Sequence, residues 1–297
     1  MSKKNKFIVA GTALMYLLLS PNISFSENIN SNTNKLGLYV SGQYKPSVSV
    51  FSNFSVKETN VPTKQLVALK KDIDSVEVSQ NNADKGLSKP DNFTIPYMPK
   101  FQDNVANFSG AVGFFYSKGL RIELEGSYEE FDVKDPGDYT TVKDAYRYFA
   151  LARETEGTTI HPKNKNSSDP NGIYHVVMRN DGLSISSAMI NGCYDFTLGS
   201  LPISPYMCIG MGVDAIQFFD ALHIKFAHQG KVGITYSLSP NVSLFADGYY
   251  HKVVDNKFKN LNVQHVYKLN DAPKVTSAVA TLNIEYFGGG IGARFIF

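Results

Sequence analysis

The stretch Leu120-Arg121-Ile122-Glu123-Leu124-Glu125-Gly126-Ser127-Tyr128-Glu129 decides the fold. Its even positions are apolar or small and its odd positions are charged or polar. That period of two belongs to a strand whose faces meet two different surroundings. Similar alternation marks residues 36–44, 108–116, 188–198, 203–213, 228–236, 242–250 and the C-terminal stretch after Thr281. Eight strands are predicted, antiparallel and closed into a transmembrane β-barrel. If the two longest connections each hide another strand pair, the ring grows to ten or twelve.

Three neighbouring pairs have short links, and each admits a hairpin register that sets like faces opposite one another. Around residues 117–119, Val112 falls opposite Leu124, with Gly113 and Ala111 opposite Glu123 and Glu125. Small residues there leave room for the carboxylates. Around 199–202, pairing Leu198 with Ile203 sets Ile190 opposite Met211, Tyr194 opposite Met207 and Cys193 opposite Cys208. Around 237–241, the tightest turn pairs Tyr236 with Val242, Ile234 with Leu244 and Lys231 with Asp247. Parity alone also accepts registers slipped by two.

The long connections, at about 48–107, 132–184, 215–227 and 252–280, alternate with the short ones, as external loops alternate with periplasmic turns in outer-membrane barrels. The first two are rich in Asn, Asp, Lys, Ser, Gly and Pro, which predicts exposed, mobile chain. Residues 65–73 suit a short surface helix. Soluble sandwiches alternate too, so periodicity leaves open which face points inward. Mid-strand Arg121, Glu123, Glu125, Lys231 and Asp247 favour a polar lumen, because a basic side chain on lipid at the midplane costs roughly 2–4 kcal/mol. The C-terminal Ile291, Ala293, Phe295 and Phe297 put apolar groups on one face, as befits a last strand closing on the first.

Residues 1–26 read as a secretory signal, with Lys3, Lys4 and Lys6 before a 13-residue apolar run (7–19) and a small-x-small ending at Ser24-Phe25-Ser26. The run is short of the roughly 20 residues a spanning helix needs. Cleavage is expected before Glu27, leaving 27–297 as the barrel domain. Without the leader, 26 basic groups face 27 acidic ones, a balance that excludes a charge-driven nucleic-acid binder. With 20 Phe, 17 Tyr and no Trp, the chain is rich in residues that favour strands.

The stretches Gly37-Leu38-Tyr39-Val40-Ser41-Gly42-Gln43-Tyr44-Lys45-Pro46-Ser47, Ser204-Pro205-Tyr206-Met207-Cys208, Phe218-Phe219-Asp220-Ala221-Leu222-His223, Leu244-Phe245-Ala246-Asp247-Gly248-Tyr249-Tyr250-His251-Lys252 and Asn283-Ile284-Glu285-Tyr286-Phe287-Gly288-Gly289 resemble the major surface antigen family of Ehrlichia and Anaplasma outer membranes, in its 28-kilodalton branch. The likeness covers most of the mature chain and fails mainly in the first two loops and part of the fourth. It implies an abundant surface antigen in the bacterial outer membrane, whose loops meet host surface molecules or antibodies. Porin activity in some relatives makes a passive porin for small hydrophilic solutes the second reading, with Arg121, Glu123, Glu125, Lys231 and Asp247 lining the path. A homo-oligomer is left open.

No catalytic, cofactor or metal site is expected. The histidines at 161, 175, 223, 228, 251 and 265 form no HExxH pair, and there is no Gly-x-Ser-x-Gly elbow. The Gly-x-Gly-x-Gly at 288–292 precedes no helix that would receive phosphate, and a bulge or close backbone approach explains it better. Cys193 and Cys208, directly opposed, are close enough for a disulfide in an oxidising compartment; two small lumen-facing thiols are the alternative.

Overall fold

A computed structural model describes residues 37–77, 86–117, 119–153, 155–160, 175–199, 201–263, 265–266 and 277–297. The expected leader lies outside these residues. Strands β1 (Gly37–Tyr44), β2 (Phe108–Ser117), β3 (Leu120–Phe131), β4 (Leu183–Asp195), β5 (Ile203–Phe218), β6 (Ala221–Ser237), β7 (Val242–Val253) and β8 (Glu285–Ile296) form one antiparallel sheet. β8 pairs back onto β1, from Tyr39↔Ile296 to Tyr44↔Ile291, and closes the ring at eight strands.

The wall inverts the arrangement of a soluble core. Leu124, Ile190 and Ile234 are 57%, 59% and 53% exposed on the outside, whereas Glu123 and Lys231 are 5% and 6% exposed inside. Aromatics ring both ends of the apolar band: Tyr116, Tyr194, Tyr236 and Phe295 near the short turns, and Tyr44, Phe108, Tyr250 and Phe287 near the long loops. Tyrosine and phenylalanine in such girdles sit at the two lipid–water boundaries.

Two hairpin registers run as the face pattern predicts, with Val112↔Leu124 and Gly113↔Glu123 in one and Cys193↔Cys208 and Ile190↔Met211 in the other. The first carries a bulge beside its turn, between Phe115 and Ser117. The second ladder stops at Asp195↔Tyr206, so Leu198 and Ile203 do not pair. The third is slipped by two residues: Ile234 faces Ala246 and Tyr236 faces Leu244. Lys231 therefore lies opposite Tyr249, and Asp247 opposite Gly233. The slip follows from Val242, which pairs with Phe295 of β8 while its carbonyl accepts from the Leu238 and Ser239 amides to close the turn.

The third long connection is not a loop at all. β5 and β6 continue to a two-residue turn at Phe219-Asp220, where both φ angles are positive (49° and 57°), the geometry that matches strand twist in a tight hairpin. The remaining loops carry strands: Ser47–Ser49 pairs onto β8 as a short extension of the wall, and the others leave the ring at eight and build a cap. Its five-stranded sheet runs His265–Val266, His175–Arg179, Tyr148–Ala152, Gln65–Leu69, Phe93–Pro96, and its three-stranded sheet runs Lys257–Asn262, Ser277–Asn283, Ser52–Glu58. Where a helix is expected at 65–73, Gln65–Leu69 is instead a strand, buried from Val67 to Leu69. A short apolar run buried on both faces carries no period by which to tell the two apart.

Tyr148–Ala152 shows how the cap is held. Phe149 and Leu151 pack with Phe131, Ile185, Ile216 and Tyr286 of the barrel mouth, while Tyr148, Ala150 and Ala152 pack with Val67, Leu69 and Phe93 on the far face. One hydrophobic core therefore continues from the mouth into the cap, each buried Leu or Phe contributing on the order of 1.5–3 kcal/mol. The C-terminal stretch after Thr281 divides between the two: Ser277–Asn283 belongs to the cap and Glu285–Ile296 to the wall.

Candidate functional site

The barrel interior is where alternation aims the mid-strand charges against one another. Arg121, Glu123 and Glu125 project inward from β3, Lys231 from β6 and Asp247 from β7, all buried. Four lie within one network. The Lys231 ammonium donates to Glu123 Oε1 at 3.1 Å and also to Glu125 Oε2, and Arg121 donates to Glu123 Oε2 at 2.6 Å. Its far side reaches Asp195 at 2.9 Å, near the short-turn end.

Neutral and loop-borne groups complete the shell. Asn191 donates to both Glu123 and Glu125, at 3.1 and 3.0 Å, and Gln229 donates to Glu125 at 2.9 Å and to Asn191 at 2.6 Å. Lys45, just past β1, turns back into the lumen and reaches Glu125 at 2.9 Å beneath the Tyr249 ring. Asp247 is held apart from the lysine it was expected to face, accepting from Gln43 at 2.7 Å and from Tyr206 at 2.6 Å. Arg294 lies over the rings of Tyr39 and Phe245.

These partners have a sequence signal. Tyr39, Gln43 and Lys45 share one parity of β1, Asn191 shares that of Cys193, and Arg294 lies on the face opposite Ile291, Ala293 and Phe295. Position along the barrel axis decides who meets whom, and local sequence does not encode it. The inward glycines answer to the same crowding. A Cβ at Gly113 would fall 2.2 Å from the Tyr39 ring, and one at Gly290 would fall 2.0 Å from Gln43. The Gly-x-Gly-x-Gly run is therefore close approach, with the ladder of β7 and β8 regular throughout.

Cys193 and Cys208 lie directly opposite, joined as a disulfide with Cα atoms 4.0 Å apart, and an Arg121 guanidinium nitrogen lies 3.7 Å from the Cys208 sulfur. Among the described residues the one three-ligand metal grouping is Glu123 with these two cysteines, whose sulfurs are already bonded to each other. The histidines are dispersed. His251 meets Asp214 at 2.8 Å inside the upper barrel, His223 contacts the Lys259 carbonyl, and His175 sits buried in the cap. His161 and the His265 side chain lie outside the described residues.

Chemically, the arrangement neutralises charge and fills space. The cavity left among Gln43, Glu123, Lys231 and Asp247 measures about 10 Å³, the room one water needs. Above it, Ser47, Asn104 and Asn107 all donate to the buried Glu129 carboxylate, and the apolar core closes the mouth.

Residues 30–297 match the family described as Surface antigen. Major surface antigen 4 of Anaplasma marginale is 31% identical over 261 residues, covering 87% of this chain and 83% of that protein. Among solved structures, the outer membrane protein OprG from Pseudomonas aeruginosa aligns with a TM-score of 0.45 at 13% identity, over 89% of this chain and 98% of that one. Neisserial surface protein A aligns at 0.37 and 10% identity, over 88% and 97%. With a lipid-facing apolar wall, two aromatic girdles and a family match across nearly the whole described chain, the protein belongs to the surface antigen family and is an eight-stranded barrel of the bacterial outer membrane.

Proposed function

We propose that this surface antigen acts as a closed, non-catalytic scaffold that presents its folded cap to host molecules or antibodies, and that it does not work as an open porin. The filled interior carries the reading. Eight strands enclose a space only just wide enough for side chains. Here that space is occupied by a charge-balanced network below and an apolar core above.

Residues 1–26 are proposed to direct export and to be removed before Glu27; N-terminal sequencing of the mature protein checks this. Purified protein in planar bilayers tests closure, with a silent barrel as the expected result. Steady conductance that changes when Lys231 or Glu123 is neutralised would establish the porin reading instead. Surface presentation is tested on intact cells, where antibodies against the cap should bind without permeabilisation.

A further inference from the structure

The cap holds a second site with chemistry of its own. Where residues 95–100 of the first loop face 133–146 of the second, they leave an open cleft of about 490 Å³, within the range of small-ligand sites. Lys100 and Lys134 stand exposed on its wall, and among the described residues neither takes part in an ion pair. Lys71 and Asp138, also on the lining, are paired with each other.

The walls are stiff. Tyr139 donates its hydroxyl to the Leu69 carbonyl at 3.0 Å and backs onto Tyr146, fixing a half-buried ring at the cleft. Pro96, Pro99 and Pro136 also line it, and proline lacks a backbone N–H. Two further wall amides are spent, Tyr97 on the Leu66 carbonyl at 3.0 Å and Lys134 on the Lys100 carbonyl at 2.7 Å. A peptide seeking to add a strand would find few donors. Recognition falls to side chains: free ammonium groups and a rigid aromatic face. Together these suit a ligand bearing an acid group and an apolar ring face.

We propose that the cleft binds an acidic saccharide, with Lys100 and Lys134 holding its carboxylate or sulfate and Tyr139 packing on a sugar ring. This deepens the reading of the cap as the host-facing part and rests on it. The walls are pre-organised, so little ordering cost opposes binding.

The test uses the full-length protein in lipid nanodiscs and calorimetric titration with a sialylated trisaccharide, a sulfated disaccharide, the neutral parent sugars, an acidic hexapeptide and inorganic sulfate. At least one acidic sugar should bind, and roughly tenfold more tightly than its neutral parent. The arm that binds identifies carboxylate or sulfate as the acid. The paired variant Lys100→Ala/Lys134→Ala should lose roughly tenfold, and Tyr139→Ala should weaken binding while Tyr139→Phe retains it. Both lysines are exposed, so the paired variant should keep the parent's heat-modifiable migration. Equal binding of the neutral sugar, of sulfate or of the peptide overturns the proposal, as does indifference to the lysines. Placement is read separately by labelling Met98→Cys on intact cells with a membrane-impermeant maleimide. Binding without labelling would leave the site standing and sink its host-facing role.

Discussion

Replacing Lys231 by Met isolates what holds the interior together. The ammonium bridges Glu123 and Glu125, which Asn191 already holds close to each other at 3.1 and 3.0 Å. Removing it leaves Glu123 with Arg121 and Glu125 with Lys45, one cation each, and exposes two buried carboxylates to their mutual repulsion. Stripping one partner from a buried ion pair costs about 3–5 kcal/mol, and the surviving cations place this case near 3 kcal/mol. Glu123→Gln in the same chain removes the repulsion while keeping a hydrogen-bonding side chain, so the double variant should recover to within about 1 kcal/mol of the parent. Equilibrium urea unfolding from lipid vesicles measures both, read by heat-modifiable gel migration and by tyrosine emission, since the chain has no Trp. A Lys231→Met variant within about 0.5 kcal/mol of the parent, the scatter expected of a surface change, would mean that the interior is wet and screened. The filled-lumen argument would then fail.

Burial in the cap lowers His175 to about 4, so between the unfolded value of 6.5 and that point an opened cap takes up a proton the folded one refuses. Cap stability should fall as pH drops through this window, by on the order of 2 kcal/mol at pH 5. Hydrogen exchange of Tyr148–Ala152 should show the loss in the parent, with a flat profile in His175→Gln; a parent that is itself flat would refute the assignment. Leu124→Arg places a cation on the lipid side of mid-strand β3 and should cost roughly 2–4 kcal/mol in vesicles. A neutral result would return the outer wall to water. The chain has two cysteines. Denatured, unreduced protein should take up no maleimide and should take up two equivalents after reduction, whereas labelling before reduction would show free thiols.

The barrel was legible in the sequence because its two faces meet opposite surroundings: the pattern Arg121-Ile122-Glu123-Leu124-Glu125 marks the strand, while its sidedness needed the loop rhythm, the leader and the C-terminal strand as well. Exact pairing was less legible, because a period of two cannot distinguish registers two residues apart. In the third hairpin a carbonyl of Val242, committed to its turn, decided the matter. The cap was hidden for a different reason. Gln65 pairs with Ala152 and Ala278 with Glu58, contacts between distant parts of the chain that leave no local trace. The polar composition of those loops described their surface, while the apolar runs within them were too short to declare a strand. Site residues followed the same division. Inward parity found Glu123 and Lys231, whereas their union depended on strand tilt bringing β3 and β6 side chains to one height across the lumen.

Why an interior this costly persists is a question of specificity more than stability. Well-packed apolar groups in place of a buried ion network often leave a protein equally stable, but such groups fit many registers. A barrel with inward carboxylates at 123 and 125 and their cations at 45, 121 and 231 satisfies its charges in few alignments. A two-residue slip of β6 against β3 would carry Lys231 about 7 Å along the strand, far outside hydrogen-bond reach. The network thus penalises slips that the apolar outer face tolerates, since lipid accepts Ile190 or Ile234 at many heights. With β5 and β6 locked, the tight Phe219-Asp220 turn is fixed in height, and Phe219 enters the core shared with Phe149. The charges below thereby set the seat of the cap above, so slackening the network should loosen cap exchange before the ring itself opens.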